Sequence, residues 1–271
     1  AADSRAASAD LERASRAEDD DALSELSWKT IAVHGREAGE QARAIARAIG
    51  IEGPLVELLD LAGRWHDAGK AHEVFQNAIK ATAREAAGPE AGSRELAKAP
   101  RDAWKRPAYA ARPGFRHELA STLALFELLR RTDPHHEALL GPHREVFAAM
   151  GQPTEAVEDA QRIGAADPLA AEIVNLDAES FDLLAWLVCT HHGKVRCVLS
   201  STPKDQESGQ DRIHGVRKGD HLPALSLATS HGDAATLPQL ELSLSLAELG
   251  LGARYGASWG ERVAGLLERH G

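Results

Sequence analysis

Aromatic residues and cysteines are scarce in this sequence of 271 residues. Phe, Trp and Tyr together make up only 4% of it, whereas Ala and Leu are abundant, which favours helices. The two cysteines, Cys189 and Cys197, are separated by a C-x7-C spacing, which is not that of a zinc finger. We therefore expect two ordinary thiols, no disulfide framework and a cytoplasmic location.

Long apolar runs are also missing. Without a run of about 18 apolar residues or a signal-peptide pattern, we expect no membrane span. Without a G-x-x-x-x-G-K-[ST] motif, we expect no ATPase in this chain. Lys and Arg number 31 against 41 Asp and Glu, which gives a formal net charge of −10. This charge argues against a broad DNA-binding surface, but a nucleic-acid enzyme stays possible because bound metal ions supply local positive charge.

The beginning of the chain contains little that a core would bury. Residues 1–27 combine Ala, Ser and Arg with an acidic run at 18–21, and we expect them to form a flexible acidic linker or arm. Residues 28–271 are long enough to form one domain. Because the sequence starts without Met, we expect it to be an excised or processed part of a longer protein.

Apolar residues recur at helical spacing over much of the domain. Such segments lie at 35–49, 54–68, 115–131, 168–174, 181–189 and 258–270. Residues 200–236 are polar and rich in turn residues, with a hairpin predicted within 212–227, and strands are predicted at 195–199 and 237–246. The predicted fold class is therefore mainly all-α, a helical bundle with a small β-hairpin-like insertion toward the C-terminus.

Histidines stand at the ends of several predicted helices. In order they are His34, the pair His66-Asp67, His117 and the pair His191-His192. Each alone is more often structural than catalytic, but the joint pattern is hard to reach by chance. Imidazole and carboxylate donors suit a divalent transition metal, Fe, Mn, Ni or Co, with Mg or Zn as further options.

This donor set is large enough for two cations. Four histidine positions and a bridging Asp67 can hold a metal pair roughly 4 Å apart, an arrangement that serves phosphodiester hydrolysis. Lys70, close after Asp67, is predicted to bind the phosphate or to protonate the leaving group. We therefore predict Asp67 and Lys70 as catalytic residues.

A Pro- and Gly-punctuated stretch at residues 81–114 is locally basic and contains Trp104 and Tyr109. A solvated loop explains it, but basic residues among aromatics are also typical of a single-stranded nucleic-acid path. The candidate nucleic-acid contacts in and beside it are Lys98, Lys105, Arg106, Arg112 and Arg116.

The motifs together resemble a known family. The joint pattern resembles the HD superfamily of metal-dependent phosphohydrolases and, more closely, the HD nuclease domain of Cas3 from type I CRISPR systems. Residues 65–70 followed by Phe75-Gln76 are similar to the "HD-x-GK … FQ" motif of that domain. Arg116-His117-Glu118 with Ser121, and His191-His192-Gly193, match its next two motifs. The resemblance covers residues 28–271, and the later part looks like the subtype I-G variant.

This resemblance implies an HD-domain helical bundle with two metals. One metal would be held by His34, His66, Asp67 and a late Asp, and the other by Asp67, His117, His191 and His192. It also implies endonucleolytic and then processive cutting of single-stranded DNA, fed by a Cas3 helicase in cis or in trans at a type I CRISPR surveillance complex. No segment like the family's late "A-D-x-R" occurs before Gly271. Either the domain is truncated ahead of its last helix, as we expect, or another residue fills that position.

Two alternatives are open at this stage. An HD phosphohydrolase of small nucleotides would use the same chemistry in a closed pocket, against which the basic stretch weighs. An inactive HD module that docks on a CRISPR complex would explain the absent late Asp and the acidic charge.

Overall fold

The computed structural model describes residues 27–87, 95–105, 109, 112–151, 157–193, 196–207, 209, 211–248 and 254–270. The predicted acidic arm lies outside these residues except for its last position, and so does Arg106. None of the helices in these ranges combines the length and the apolar character that crossing a lipid bilayer requires.

Helices make up most of the described chain. They are α1 (Ile31–Ala48), α2 (Pro54–Trp65), α3 (Glu73–Gln76), α4 (Ala81–Ala87), α5 (His117–Thr132), α6 (Glu137–Leu140), α7 (Arg144–Met150), α8 (Pro168–Val174), α9 (Ala178–Thr190), α10 (Pro203–Gln206) and α11 (Trp259–His270). Short 3₁₀ helices lie at Ala68–Ala71, Arg101–Ala103, Gly141–His143, Asp159–Gln161 and Leu244–Ala247. Local sequence explains several helix starts. Thr30 caps α1 by accepting a hydrogen bond from Val33 N–H at 3.3 Å, and Pro54 fills the first turn of α2.

The strands of the described residues are short and form two-stranded antiparallel sheets. The pairs are β1 (Lys29–Thr30) with β2 (Leu96–Lys98), β3 (Arg212–Ile213) with β4 (Val216–Arg217), β5 (Asp220–Leu222) with β8 (Leu240–Leu242), and β6 (Leu225–Ala228) with β7 (Ala234–Leu237). Strands β3 to β8 follow α10 in sequence. Strands β3 and β4 form a hairpin within residues 212–227, where the sequence predicts one. The predicted fold class, mainly all-α with a small β insertion toward the C-terminus, is confirmed.

Two strand predictions were wrong in part. The predicted strand at 195–199 is absent from its described residues, 196–199. The predicted strand at 237–246 shortens to β8, and the 3₁₀ helix Leu244–Ala247 follows it. Ser243 starts that helix, because its hydroxyl oxygen accepts a hydrogen bond from Ser245 N–H at 3.3 Å.

Helix α5 forms the centre of the core. Its residues from Glu118 to Arg130 are all buried, so the helix is surrounded by other elements on every side. Phe126 on α5 packs edge-on against Phe181 of α9, with ring centroids 5.0 Å apart, and lies 5.5 Å from the Tyr255 ring. The start of this central helix carries His117, so the core places one candidate ligand directly.

Helices α1 and α2 approach each other at backbone distance. A Cβ on Gly63 would lie 2.6 Å from Gly39 N, and one on Gly35 would lie 2.6 Å from the Arg64 carbonyl oxygen. These glycines stand beside His34 and His66, so the close crossing brings the two histidines together. The buried face of α1 contains Gly35 and Gly39. Part of the apolar face that the sequence predicts for α1 therefore faces solvent, and Ile45 and Ile49 are 59% and 69% exposed.

Substitution of Gly63 with alanine should push α1 and α2 apart. The new methyl group has only backbone atoms to displace, so we expect a loss of about 1–3 kcal/mol of stability, as in overpacked cores. Thermal unfolding of Gly63→Ala measures it, at roughly 2–4 °C per kcal/mol for a domain of this size. Gly260→Ala on α11 is the control, since its Cβ would meet nothing nearer than Cys197 O at 3.8 Å. Equal melting temperatures for the two variants would contradict the close-crossing argument.

Candidate metal centre

Six side chains from separate parts of the chain converge at one end of the bundle. They form two triads whose ligand atoms lie within 4.8 Å of one another, the first triad being His34, His66 and Asp67 and the second triad being His117, His191 and His192. The first turn of α1 supplies His34, the end of α2 supplies His66 and Asp67, the start of α5 supplies His117, and the end of α9 supplies the last pair. The structure thus brings together all six predicted ligands, and their role as ligands stays a prediction.

The Asp67 carboxylate stands between the triads. Its Oδ2 is 3.3 Å from His34 Nε2 and 3.3 Å from His66 Nε2, while its Oδ1 is 3.1 Å from His117 Nε2 and 3.9 Å from His191 Nε2. Asp67 is only 1% exposed, and neither oxygen accepts a hydrogen bond of normal geometry. Lys70 Nζ, 2.8 Å from Oδ2, offsets this buried charge on one side, while Oδ1 faces imidazole nitrogens, and bound cations would neutralise that side. The two triads therefore have the donor chemistry that divalent metal ions need.

The histidines present their Nε2 atoms to this centre. Nδ1 of His66 lies 2.7 Å from the Gly63 carbonyl oxygen, and Nδ1 of His191 lies 2.8 Å from the Val188 carbonyl oxygen. Each carbonyl accepts the Nδ1 proton, which leaves the Nε2 lone pair directed at the centre. The backbone of α2 and α9 thereby fixes the tautomer that a metal ligand needs.

Burial adjusts the protonation of the site. It lowers the pKa of His34 and of His192 to about 4, and it also lowers the pKa of His117 and His191. For Asp67, burial opposes ionisation, but the charges of His66 and Lys70 outweigh it, so the pKa of this carboxyl lies well below its usual range. Near pH 7, His34, His117, His191 and His192 are therefore neutral imidazoles and Asp67 is an ionised carboxylate, the forms that bind metal.

The set of donors is nitrogen and oxygen. Cys189 is buried, and burial raises the pKa of its thiol to about 12, so a thiolate is not available from it. Among the described residues, Asp67 supplies the one carboxylate of the two triads. Asp182 pairs instead with Arg262 at 2.7 Å, and Asp233 is exposed in the turn between β6 and β7.

Lys70 lies inside the protein rather than at the mouth of the site. It is 3% exposed, its Nζ is 2.8 Å from Asp67 Oδ2, and burial lowers its pKa. The ring centroid of Phe75 is 5.3 Å from the same nitrogen. The ammonium therefore acts first on Asp67, whose charge it stabilises.

Two residues of the sequence motifs hold the loop that carries Asp67. The Ser121 hydroxyl donates to the His66 carbonyl at 2.9 Å and accepts from Gly69 N–H at 2.7 Å. A Cβ on Gly69 would overlap the His117 carbonyl oxygen, so the close approach of this loop to α5 requires glycine. The Gln76 amide donates to the Lys70 carbonyl at 2.6 Å and to the Leu96 carbonyl at 2.9 Å. These contacts join the loop to α5 and β2.

The predicted nucleic-acid contacts differ in how exposed their side chains are. Arg112 is buried and forms an ion pair with Asp220, so it has a structural role. Lys105 is exposed, whereas Lys98 and Arg116 are half-buried. Lys98 is close enough to His34 for its charge to lower the pKa of that imidazole. Lys98 therefore acts on the first triad, and Arg116 directly precedes His117 of the second triad in sequence.

The sequence assigned no role to three residues beside the second triad, although Glu118 lies within the Arg116-His117-Glu118 motif. Glu118 is 1% exposed and pairs with Arg196 at 2.6 Å, and Arg196 Nη1 lies 3.3 Å from His214 Nε2. Burial opposes the ionisation of Glu118, but the charges of His117 and Arg196 lower its pKa to about 2. A glutamate at the start of a central helix was a visible signal, because such a buried charge needs a partner. The partner itself lies 78 residues away in sequence and only the fold reveals it.

Comparison with known proteins gave one match. The family model described as "Cas3, HD domain" matches residues 24–259, which is most of the chain. No curated protein and no solved structure matches this chain.

Proposed function

Since the chain belongs to the family of Cas3 HD domains, a nuclease-type hydrolase family, we propose that it cuts single-stranded DNA with a pair of divalent transition metals. Residues 28–271 would form this nuclease domain, with Fe, Mn, Ni or Co as the preferred ions. The domain would act with a Cas3 helicase, in cis or in trans, at a type I CRISPR surveillance complex.

The bridging position of Asp67 carries the proposal. One carboxylate with each oxygen directed at a different triad supports two cations at a short separation. When bound, such a metal pair activates a water, orients the scissile phosphate and stabilises the leaving oxygen. The two triads would hold the ions, while the backbone carbonyls behind His66 and His191 keep the ring orientations constant.

Lys70 has a narrower role in this proposal than phosphate binding. Because it is buried against Asp67, it keeps the carboxylate ionised and oriented between the triads. In this proposal Lys98 and Arg116 attract the DNA backbone toward the site, and the exposed Lys105 is a further candidate contact.

Cleavage of circular single-stranded DNA tests the proposal. We expect cutting only with a divalent transition metal, and we expect His66→Ala to reduce the rate at least about 100-fold, equivalent to about 2.7 kcal/mol of transition-state stabilisation. His231→Ala is the control, because His231 is an exposed residue of the turn between β6 and β7. Turnover of deoxynucleoside triphosphates or cyclic nucleotides without DNA cleavage would contradict the proposed substrate. Equal cleavage by the two variants would contradict the proposed site.

A further inference from the structure

Glu118 lies on the side of the His117 ring that faces away from Asp67. His117 Nε2 is 3.1 Å from Asp67 Oδ1, whereas Nδ1 of the same ring is 3.8 Å from Glu118 Oε2. Nε2 is therefore the nitrogen that faces the triads, and Nδ1 faces a carboxylate. The separation of 3.8 Å is an electrostatic contact rather than a hydrogen bond, and it favours the tautomer with its proton on Nδ1.

Arg196 fixes the position of this carboxylate. Its Nη2 donates to Glu118 Oε1 at 2.6 Å, and its backbone carbonyl accepts a hydrogen bond from the Trp259 indole at 2.7 Å. His214, at the turn of the β3–β4 hairpin, lies 3.3 Å from Nη1 of the same guanidinium. Arg196 thus connects α5, α11 and the hairpin at one point, shortly after the His191-His192 pair in sequence.

The turn of the β3–β4 hairpin brings the His214 ring to the Arg196 guanidinium. His214 has a φ of 47°, the one positive value among the described residues other than glycine. Asp205 holds the turn by accepting hydrogen bonds from the N–H groups of His214 and Gly215, each at 2.9 Å. Backbone strain of this kind persists only where the surrounding contacts maintain it. The contact between His214 and Arg196 is therefore a fixed part of the fold.

We propose that Glu118 and Arg196 form a positioning pair for the second triad. Glu118 orients the His117 ring, and Arg196 ties Glu118 to the segment that follows His191 and His192. The inference rests on the proposed two-metal function and adds residues that do not touch the metals themselves. Groups that orient a histidine ligand typically change metal affinity about 10–100-fold when they are replaced.

The first triad does not depend on this pair. The Gly63 carbonyl orients His66, and the crossing of α1 and α2 places His34. Loss of the Glu118–Arg196 pair should therefore weaken one metal and leave the other unchanged. A general loss of stability would weaken both, so the difference between the two metals distinguishes positioning from a purely structural role.

Metal titration of the folded chain tests the pair. Equilibrium dialysis with Mn²⁺, and the visible absorption of bound Co²⁺, measure the number of sites and the affinity of each. We expect two sites in the wild type. In Glu118→Gln and in Arg196→Lys we expect one site of unchanged affinity and one weakened about 10–100-fold. Using two conservative variants keeps the test valid if one of them fails to fold.

Asp182→Asn is the matched control. Asp182 forms a similarly buried ion pair with Arg262 at 2.7 Å, but it lies near the start of α9, about 13 Å along the helix from His191 at ~1.5 Å per residue. Equal weakening by Asp182→Asn would overturn the inference, and so would unchanged second-site affinity in both Glu118→Gln and Arg196→Lys. In either case, two metals in the wild type would leave the proposed function standing. Fewer than two metals in the wild type would overturn both proposals.

Discussion

Replacement of Asp67 with asparagine should reduce DNA cleavage by about 1,000-fold or more, which corresponds to about 4 kcal/mol of transition-state stabilisation. Asp67 belongs to the first triad and also faces the second, with Oδ2 near His34 and His66 and Oδ1 near His117. Asparagine has nearly the same shape but lacks the negative charge and the second oxygen. The expected result is therefore a loss of both metals from one isosteric change.

The Asp67→Asn measurement has two parts. Metal analysis after dialysis should show fewer than one bound ion per chain, and the cleavage rate should fall as stated. Asp233→Asn provides the comparison, because Asp233 is exposed and belongs to neither triad. Retention of both metals in Asp67→Asn would show that the carboxylate does not bridge them.

Replacement of Glu127 with alanine should destabilise the fold by about 3–5 kcal/mol, the loss expected when one partner of a buried ion network is removed. Glu127 is fully buried in the middle of α5. Its carboxylate accepts hydrogen bonds at 2.9–3.0 Å from three guanidinium groups, those of Arg130, Arg131 and Arg254. Without the carboxylate, the buried Arg130 keeps its charge but loses its partner. Thermal or urea unfolding measures the change.

An exposed carboxylate serves as the comparison for Glu127. Glu179 pairs with Arg269 at 3.1 Å and with His270 at 2.9 Å, but these side chains are about half exposed, so Glu179→Ala should cost at most about 1 kcal/mol. A similar loss in both variants would show that the Glu127 network contributes no more than a surface pair.

The same network predicts a dependence of stability on pH. Burial raises the pKa of Glu127, but the hydrogen bond and the charges of its arginines outweigh it and hold the pKa below the ordinary value of 4.5. A depressed pKa in the folded state contributes stability above pH 4.5, and the contribution is lost as the pH falls toward the folded-state pKa. Glu127→Gln should therefore unfold with a smaller dependence on pH in this acid range than the wild type.

The residues of the candidate centre were predictable because their signal is local. A histidine at the end of an apolar helix stands out without knowledge of the fold, and the five histidines meet that description, with Asp67 directly after one of them. The same holds for Ser121 and Gln76, which lie within short motifs. The spacing of apolar residues also predicted most helices, since their periodicity is a property of each segment alone.

Residues whose role depends on a distant partner were not predictable. Arg112 was assigned to a nucleic-acid path because it is basic, yet Asp220 of β5 pairs with it in the interior. Arg196 was unremarkable in sequence, because its contacts to Glu118 and His214 come from other elements. On α1 the apolar pattern favoured burial of Ile45 and Ile49, but the close glycine crossing decided which face of the helix meets α2.

The carbonyl groups behind His66 and His191 have a thermodynamic consequence. Because they restrain these rings before any ion arrives, the conformational entropy of the ligands is lost when the chain folds rather than when a metal binds. Folding without metal is correspondingly less favourable, because the two rings lose this freedom before any ligand compensates for it. Metal binding to the ordered site would then be stronger by the same amount. The cost of ordering the ligands thus appears as a lower stability of the metal-free protein.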